Sequence, residues 1–304
     1  MDPIVALAGL LVGFVVGLTG MGGGALMTPI LVLLFKVEPL MAVSSDIVAA
    51  VIMKPVGGAV HWRHGTVHRP LVLWLMLGSI PSAFLGVIIL RHFGSERSIQ
   101  GVVKAALGIA LLVVAGGLIV RPFLQRKRRP ELPLPLKVHR VRTLLIGVIG
   151  GLVVGITSVG SGSLIIIMLL MLYPRMRLSE LVGTDLVQAI PLVASAALAH
   201  MIFGEFHFAL TASILVGSIP GVFIGARFSA RAPDYVIRPA LVVVLTASAL
   251  KLLGVDTMVV GAVAALMTLL ALTLSVTAAH RASRLAAAAA QSEVSEPILS
   301  NSGG

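Results

Sequence analysis

Long apolar runs dominate this chain and restrict where it can fold. Six of them, at about 71–90, 101–120, 181–203, 207–226, 236–253 and 256–278, each approach the ~20 residues that a helix needs to cross the hydrocarbon layer of a bilayer. Lipid offers no water to unpaired backbone groups, so these runs are expected to be helices. Segments of about ten residues with the period-two alternation of a membrane β-barrel are absent. The sequence therefore predicts an all-α, polytopic membrane protein.

The basic residues are concentrated in one place. A net charge of +11 would by itself suggest a nucleic-acid partner, but eight of the 23 Lys and Arg residues stand in one segment, Arg121–Arg142, between two apolar blocks. Cytoplasmic loops of membrane proteins carry such an excess. We therefore expect this loop to be cytoplasmic and expect no nucleic-acid partner. The chain has no cysteine, which excludes disulfides, thiolate metal sites and thiol nucleophiles.

An internal repeat covers most of the chain. An offset of 139 places "GSIPSAFLG" (Gly78–Gly86) over "GSIPGVFIG" (Gly217–Gly225), with six of nine positions identical. An offset of 138 places "GLTGMGGGAL" (17–26) over "GITSVGSGSL" (155–164), so the glycine break itself is duplicated. Many secondary transporters are built from such repeats, and paired Gly-interrupted hydrophobic segments mark their binding sites.

Each half opens with a short apolar run, a glycine break and a second short run. Runs of ~15 and ~12 residues are short for a full crossing, so each pair makes either one broken span or a hairpin that enters and returns. With hairpins, the basic segments 61–70, 121–142, 173–180, 227–238 and the tail after 278 all fall on one side. The positive-inside rule therefore favours hairpins, and with them two halves that are inverted relative to each other.

These features divide the chain into five parts. They are an N-terminal membrane repeat at 1–120, a basic cytoplasmic loop at 121–142, a C-terminal membrane repeat at 143–255, an additional transmembrane helix at 256–280 and a polar tail at 281–304. Each repeat is expected to contain one Gly-broken hairpin and about three transmembrane helices.

The glycine breaks are candidate anion sites. A helix that starts just after Gly24, and another just after Gly162, would point an N-terminus toward the middle of the membrane, where free amides and positive partial charge favour an anion. Glycine lets the backbone approach a ligand closely. We expect a small oxyanion between the two hairpin tips. The candidate substrate-binding residues of the tips are Thr19, Gly20, Gly22, Gly23, Gly24, Ser158, Gly160, Ser161, Gly162 and Ser163.

A simpler interpretation is that these glycines only allow close helix packing, as small residues do in many membrane proteins. Duplication of the break at the centre of two short segments favours a site instead. A nucleotide-phosphate loop is not favoured, because the Lys-Ser/Thr pair of that motif is absent.

Charged residues inside apolar runs are further candidates, because a charge deep in a bundle is costly and is usually paired or functional. Lys54 would attract an anion, and Gln188 is a further substrate-binding candidate. Asp46 and Asp185, which the offset of 139 pairs, are candidates for carrying a coupling proton. Asp46 and Lys54 are about two helical turns apart and would face one cavity without touching. The alternative is that "SSD" and "GTD" mark helix starts, where an aspartate favours the helix dipole.

The cluster "HWRHGTVHR" places His61, His64 and His68 at helical spacing, which resembles a set of metal ligands. It contains no carboxylate, Gly65 disfavours a continuous helix, and arginines stand among the imidazoles. We therefore expect an interfacial loop and no metal. His200, which matches His61, is expected to be interfacial as well.

These blocks resemble the sulfite exporter TauE/SafE family of membrane permeases. The resemblance rests on "GLTGMGGGALMTP", on "AVSSDIVAAVIMKPVGGAVHWRHGTV", and on their second-half partners "GITSVGSGS", "LVGTDLVQAIPL" and "GSIPG". It covers about residues 4–255. It implies a multi-pass permease of the cytoplasmic (inner) membrane that handles sulfite, sulfonates or related sulfur oxyanions. The sulfur chemistry comes from the resemblance alone.

Two kinds of membrane protein fit these observations. The first is a secondary transporter that exports a sulfur oxyanion bound between the tips, with its two halves rocking around the site. The second is a channel-like or partner-dependent component that delivers a sulfur anion to an enzyme. An enzyme is not expected, because no constellation of catalytic residues lies at compatible depth. No cofactor is expected either, and the expected partners are the anion, the lipid bilayer and a second copy in a homodimer.

Overall fold

A computed structural model describes residues 3–19, 24–92, 96–126, 137–203, 207–229, 234–270 and 273. Within them the chain is all-α and contains no strand, which confirms the predicted fold class. The helices are α1 (Pro3–Thr19), α2 (Gly24–Leu33), α3 (Pro39–Arg63), α4 (Arg69–His92), α5 (Glu96–Arg126), α6 (Arg140–Thr157), α7 (Leu164–Leu172), α8 (Leu178–Phe203), α9 (Phe208–Ser229), α10 (Asp234–Leu252) and α11 (Thr257–Leu270).

Among the described residues, six helices are long and apolar enough to cross a membrane. They lie at Pro39–Arg63, Arg69–His92, Arg97–Arg121, Arg140–Thr157, Ser179–Phe203 and Phe208–Gly225. The apolar helices at Pro3–Gly17, Gly24–Leu33, Pro239–Leu252 and Thr257–Leu270 are shorter, at 10–17 residues. Of the helices beside the glycine breaks, α1, α2 and α7 are therefore too short to span the bilayer alone, whereas α6 is long enough.

In the second half, α6 and the short helix α7 form a hairpin. Gly150 in the middle of α6 faces Ile165 at the start of α7. At its base the Tyr173 hydroxyl, just after α7, accepts a hydrogen bond from the His139 amide at 2.9 Å, just before α6. The chain thus returns to the side from which it entered. Of the two arrangements left open by the sequence, α6 and α7 adopt the hairpin.

Helices α1 and α6, one from each half, pack through glycines on a helix of the other half. Gly147 and Gly155 of α6 lie against the backbone of α4 at Leu75 and Ala83, and a Cβ at either glycine would come within 3.0 Å of it. The match is parallel, because residue numbers rise together along both helices. In the same way, α1 packs in parallel on α9 through Gly13, Gly217 and other glycines. Glycine is required here because the two backbones touch.

The two matching helices α3 and α8 cross the centre of the bundle in opposite directions. The His61 end of α3 lies at Gly183 near the start of α8, whereas Ser44 near the start of α3 contacts His200 near the end of α8. Helices α4 and α8 run in parallel. Ser79 of α4 bonds Gln188 of α8, and the next residue, Ile80, bonds Ser195, which lies further along α8. Helices α4, α6 and α8 consequently begin at the same end of the molecule, each at or beside an arginine.

The helices extend beyond two of the expected boundaries. Helix α5 continues to Arg126 and α6 begins at Arg140, so both ends of the segment 121–142 are helical. The extra helix is described only for 257–270 of the expected 256–280, and all but one of the residues after 270 lie outside the described part. Basic side chains are good helix formers, so the charge pattern alone could not place the end of α5.

Candidate functional site

The two glycine breaks meet at the centre of the bundle. Gly24, the first residue of α2, packs directly on the carbonyl group of Ser158, which follows the last residue of α6. A Cβ at Gly24 would come within 3.0 Å of the Ser158 carbonyl carbon, too close for any real side chain. Of the predicted residues in the first tip, Gly20, Gly22, Gly23 and the side chain of Thr19 lie outside the described part of the structure.

The second tip, residues 158–163, is a tight turn with unusual backbone angles. Ser158 has a φ of 60°, Gly160 of 136° and Gly162 of 96°. These positive angles favour glycine, and a serine in the left-handed region is uncommon. The side chains of Ser158, Ser161 and Ser163 are each only 6–7% exposed. The tip is therefore a buried, polar turn that its glycines make possible.

Asp46 links the second tip to the first half of the chain. Its Oδ2 atom accepts hydrogen bonds from the Ser158 hydroxyl and from the Thr28 hydroxyl, both at 2.8 Å. Helix α3 begins at Pro39, so Asp46 lies two turns inside the helix. The helix-start interpretation is wrong for Asp46, and also for Asp185, because α8 begins at Leu178.

Asp185 contacts the opposite side of the second tip. Its Oδ2 accepts a hydrogen bond from the backbone amide of Gly162, and its Oδ1 accepts one from the Gln188 side chain at 2.8 Å. The side-chain Oε1 atom of Gln188 in turn accepts a hydrogen bond from the Ser79 hydroxyl of α4 at 3.1 Å. The Gly162 amide, which the sequence predicted to face a bound anion, thus donates to a carboxylate of the protein itself.

Lys54 brings the third charge to the tip. Its Nζ atom donates to the Ser161 hydroxyl at 2.7 Å, and the ammonium group interacts electrostatically with Asp185 and, less strongly, with Asp46. Lys54 is 8% exposed and Asp46 4%, whereas Asp185 and Gln188 are fully buried. The expectation that Lys54 and Asp46 face one site without touching agrees with these contacts, because each bonds a different serine of the tip.

The structure thus brings together most of the predicted residues and adds two. Those with a described position at the tip are Gly24, Asp46, Lys54, Ser158, Gly160, Ser161, Gly162, Ser163, Asp185 and Gln188. Thr28 and Ser79 were not predicted. Thr28 lies one turn into the short helix after Gly24, and this position was a usable signal. Ser79 had none, because its role depends on α4 lying beside α8.

Charge balance limits what this cluster can bind. Two carboxylates and one ammonium group give a formal charge of −1 when all three are ionised. Buried charges are stable only when they are balanced or neutralised. A bound anion would bring the total to −2 unless at least one carboxyl group holds a proton. With Lys54 charged, the cluster is formally neutral only when one of the two carboxyl groups is protonated.

The histidines divide into a surface group and a buried one. His61 pairs with the Thr66 hydroxyl at 2.9 Å, and Arg69 lies over the Trp62 ring at 5.0 Å, as expected for an interfacial loop. Burial lowers the pKa of His68 in this loop, an effect that the nearby Glu180 carboxylate partly offsets. His200, however, is fully buried, so its assignment to the interface was wrong.

Comparison with known proteins identifies the family. The family described as "Sulfite exporter TauE/SafE" matches residues 5–252, nearly the whole membrane bundle. The chain belongs to the TauE/SafE family. This places it among membrane transporters and confirms the resemblance inferred from its motifs.

Two relatives of this chain come from Bacillus subtilis (strain 168). The protein is 43% identical to "Probable membrane transporter protein YjnA" over 256 residues, which cover 83% of this chain and 100% of the relative. It is 24% identical to "Probable membrane transporter protein YdhB" over 238 residues, covering 78% of this chain and 94% of that protein. No solved structure matches.

Proposed function

We propose that this transporter is a secondary carrier that exports a small sulfur oxyanion, such as sulfite or an organosulfonate, from a site between its two hairpin tips. The observation that supports this most directly is the ammonium group of Lys54, buried at the second tip and bonded to Ser161. A buried cation next to hydroxyl donors is a recognition element for a small oxyanion. The family name supplies the sulfur chemistry.

Each polar group of the tip has a distinct role in this proposal. Lys54 supplies positive charge, and the hydroxyl groups of Ser158, Ser161 and Ser163 supply donors to the oxygens of the anion. Loading requires Lys54 to share or exchange its bond with Ser161. Gln188 holds Asp185 at Gly162 and so fixes the far side of the tip.

Asp46 and Asp185 are proposed to hold the proton that charge balance requires. With one of the two carboxyls protonated, the cluster is neutral and the loaded carrier bears the charge of the anion. The inside-negative membrane potential then drives the loaded carrier outward. With both protonated, an anion and a proton would move together.

We further propose that the two halves are inverted repeats that rock around the tips. The antiparallel packing of the matched helices α3 and α8 supports this, as does the packing of α1 and α6 on helices of the opposite half. Inverted repeats of this kind allow alternating access, since the two halves can exchange conformations around a fixed site.

The test is counterflow in liposomes that contain the purified protein and unlabelled sulfite. Saturable uptake of labelled sulfite, competed by thiosulfate or a sulfonate but not by phosphate, would establish a carrier for sulfur anions. A channel-like component would give flux without counterflow. Folded protein that shows neither would remove the sulfur assignment.

The matched variants are Lys54→Met and Lys104→Met, because Lys104 is an exposed lysine on α5. Lys54→Met is expected to lower the apparent affinity for sulfite at least tenfold, as loss of a charged hydrogen bond does. Lys104→Met should leave it unchanged. Equal affinities in the two variants would place the anion away from Lys54.

A further inference from the structure

His200 occupies a junction of three helices beside the proposed anion site. It belongs to α8 and is fully buried. Its Nε2 atom lies 2.7 Å from the carbonyl oxygen of Gly155 on α6, and its Nδ1 atom lies 2.9 Å from the Ser44 hydroxyl on α3. A carbonyl can only accept, so Nε2 carries a proton and donates to Gly155.

The bond to Gly155 satisfies a carbonyl that α6 leaves unpaired. In a continuing helix this carbonyl would accept from the amide of residue 159, but the Val159 amide donates instead to the Thr157 hydroxyl at 3.1 Å. The last regular bond of the helix runs from the Ser158 amide to the Val154 carbonyl at 2.8 Å. Helix ends buried without such a partner are costly. His200 therefore fixes the point where α6 stops.

Directly after that point the chain enters the left-handed region at Ser158. The conformation costs about 1–2 kcal/mol for a residue with a Cβ, so the surroundings must hold it in place. It directs the Ser158 hydroxyl to Asp46. Asp46 stands two residues after Ser44, the other partner of His200. The ring thus ties together the two segments that meet at the Ser158–Asp46 hydrogen bond.

We propose that His200 is a positioning residue of the anion site: its bond to Gly155 ends α6 and holds the Ser158 hydroxyl on Asp46. The inference rests on the proposed carrier function for its transport readout only. The described residues of the first half contain no equivalent bond, because the matching His61 is half-buried and pairs with Thr66 in a surface loop.

Two conservative substitutions separate the two bonds of the ring. In His200→Gln the side-chain amide nitrogen can replace Nε2 and donate to Gly155. In His200→Asn the shorter side chain reaches only toward Ser44. His200→Leu removes both bonds, and His61→Leu is the matched control in the other half. We expect His200→Gln to retain the sulfite affinity of the parent protein, and the Asn and Leu variants to lose about tenfold.

A double-mutant cycle then asks whether His200 acts through Ser158. If it does, His200→Leu added to Ser158→Ala should cause no further loss of sulfite affinity, because coupled residues are not additive. The proposal is wrong if the affinity losses of His200→Leu and Ser158→Ala multiply in the double variant. It is also wrong if His200→Asn binds sulfite more tightly than His200→Gln. A fall in melting temperature with unchanged affinity would contradict it as well.

A second readout does not need transport. The chain has no cysteine, so Ser161→Cys introduces a single thiol at the tip. We expect maleimide to label this thiol slowly in the parent and His200→Gln backgrounds and several-fold faster with His200→Leu. If sulfite is not transported at all but labelling follows this order, the positioning role stands and the carrier proposal fails. Equal labelling rates in all backgrounds would refute the positioning role.

Discussion

The two aspartates that the repeat places at matching positions have different partners. One oxygen of Asp46 accepts hydrogen bonds from two hydroxyl groups, those of Thr28 and Ser158, and Ser158 belongs to the tip of the other half. Asp185 uses both oxygens, bonds the tip of its own half and is more deeply buried. The helices repeat, but the hydrogen bonds around these two carboxyls do not.

The difference arises where the two halves differ in sequence. Lys54 corresponds to Val193, Gln188 to Ala49, and Ser158 to Gly20. Each polar member of these pairs belongs to the tip cluster, and each partner carries no polar side-chain group. The repeat therefore supplies the two carboxyl groups, and residues that occur in one half only give them different partners.

The largest effect is expected where the tips touch. Gly24→Ala would push its Cβ into the Ser158 carbonyl and force the tips apart. Since a displacement of about 1 Å in a site can cost ~100-fold, we expect sulfite counterflow to fall by that factor or more. Gly101→Ala is the control, because nothing lies within 4 Å of a Cβ there. Normal counterflow in folded Gly24→Ala protein would contradict the apposition of the tips.

Variants of Lys54 should distinguish its role in balancing the buried carboxyl groups from its role in binding the anion. Lys54→Met leaves the buried carboxyls unbalanced, and loss of one partner of a buried ion pair costs about 3–5 kcal/mol. The double variant Lys54→Met/Asp185→Asn should regain most of the free energy of unfolding but not the affinity for sulfite. Unfolding in detergent and counterflow measure the two quantities separately. Recovery of both would mean that Lys54 serves only to balance Asp185.

Replacement of each aspartate should lower the free energy of unfolding by a different amount. Asp185→Ala leaves the Gly162 amide and the Gln188 side chain without their acceptor, which costs about 1–3 kcal/mol. Asp46→Ala frees only two hydroxyls, which can rotate to other acceptors. We expect the free energy of unfolding to fall more for Asp185→Ala. The opposite order would show that the Ser158–Asp46 bond is the main structural contact of the tip.

A crosslinking experiment tests whether the halves exchange conformations. The Thr184 hydroxyl accepts a bond from the His68 amide at 3.0 Å, whereas its counterpart Ser45 is fully buried with no partner among the described residues. The repeat pairs His68 with His207. If the carrier alternates, the opposite state should bring Ser45 to His207.

The cysteine pairs His68→Cys/Thr184→Cys and Ser45→Cys/His207→Cys should therefore form disulfides alternately, with sulfite and the membrane potential shifting the balance. The first pair should trap the state described here. Formation of both disulfides in one molecule, or of the first pair only under every condition, would count against rocking halves.

The smallest effect concerns pH at the interfacial loop. Burial lowers the folded-state pKa of His68, so below its ordinary value of 6.5 the unfolded chain takes up a proton more readily than the folded protein. Stability should therefore decline slightly as the pH falls from about 6.5 through the lowered pKa. In His68→Gln this part of the decline should disappear. An unchanged pH profile of unfolding would show that His68 contributes nothing to it.

Much of this arrangement could be predicted from residue patterns. Apolar run lengths placed four of the six long helices, α4, α5, α8 and α9, and the duplicated glycines located the second tip. Helices α3 and α6 were not among the predicted runs, because both contain charged residues. The partners of Asp46 could not be predicted, because Ser158 is 112 residues away and reaches it only through the meeting of the tips. The prediction that His200 is interfacial was wrong for a related reason. It lies three residues from the end of α8, yet α3 and α6 cover it.

The packing of α1 on α9 and of α6 on α4 also affects the order of synthesis. Helix α4 can close on α6 once about 65 further residues have been added, but α1 must wait for α9, about 200 residues later. At roughly 5–20 residues per second, the glycine face of α1 stays unpaired in the nascent chain for about 10–40 seconds. Helix α1 is thus synthesised well before its permanent neighbour, and during that interval lipid, the insertion machinery or another helix must cover it.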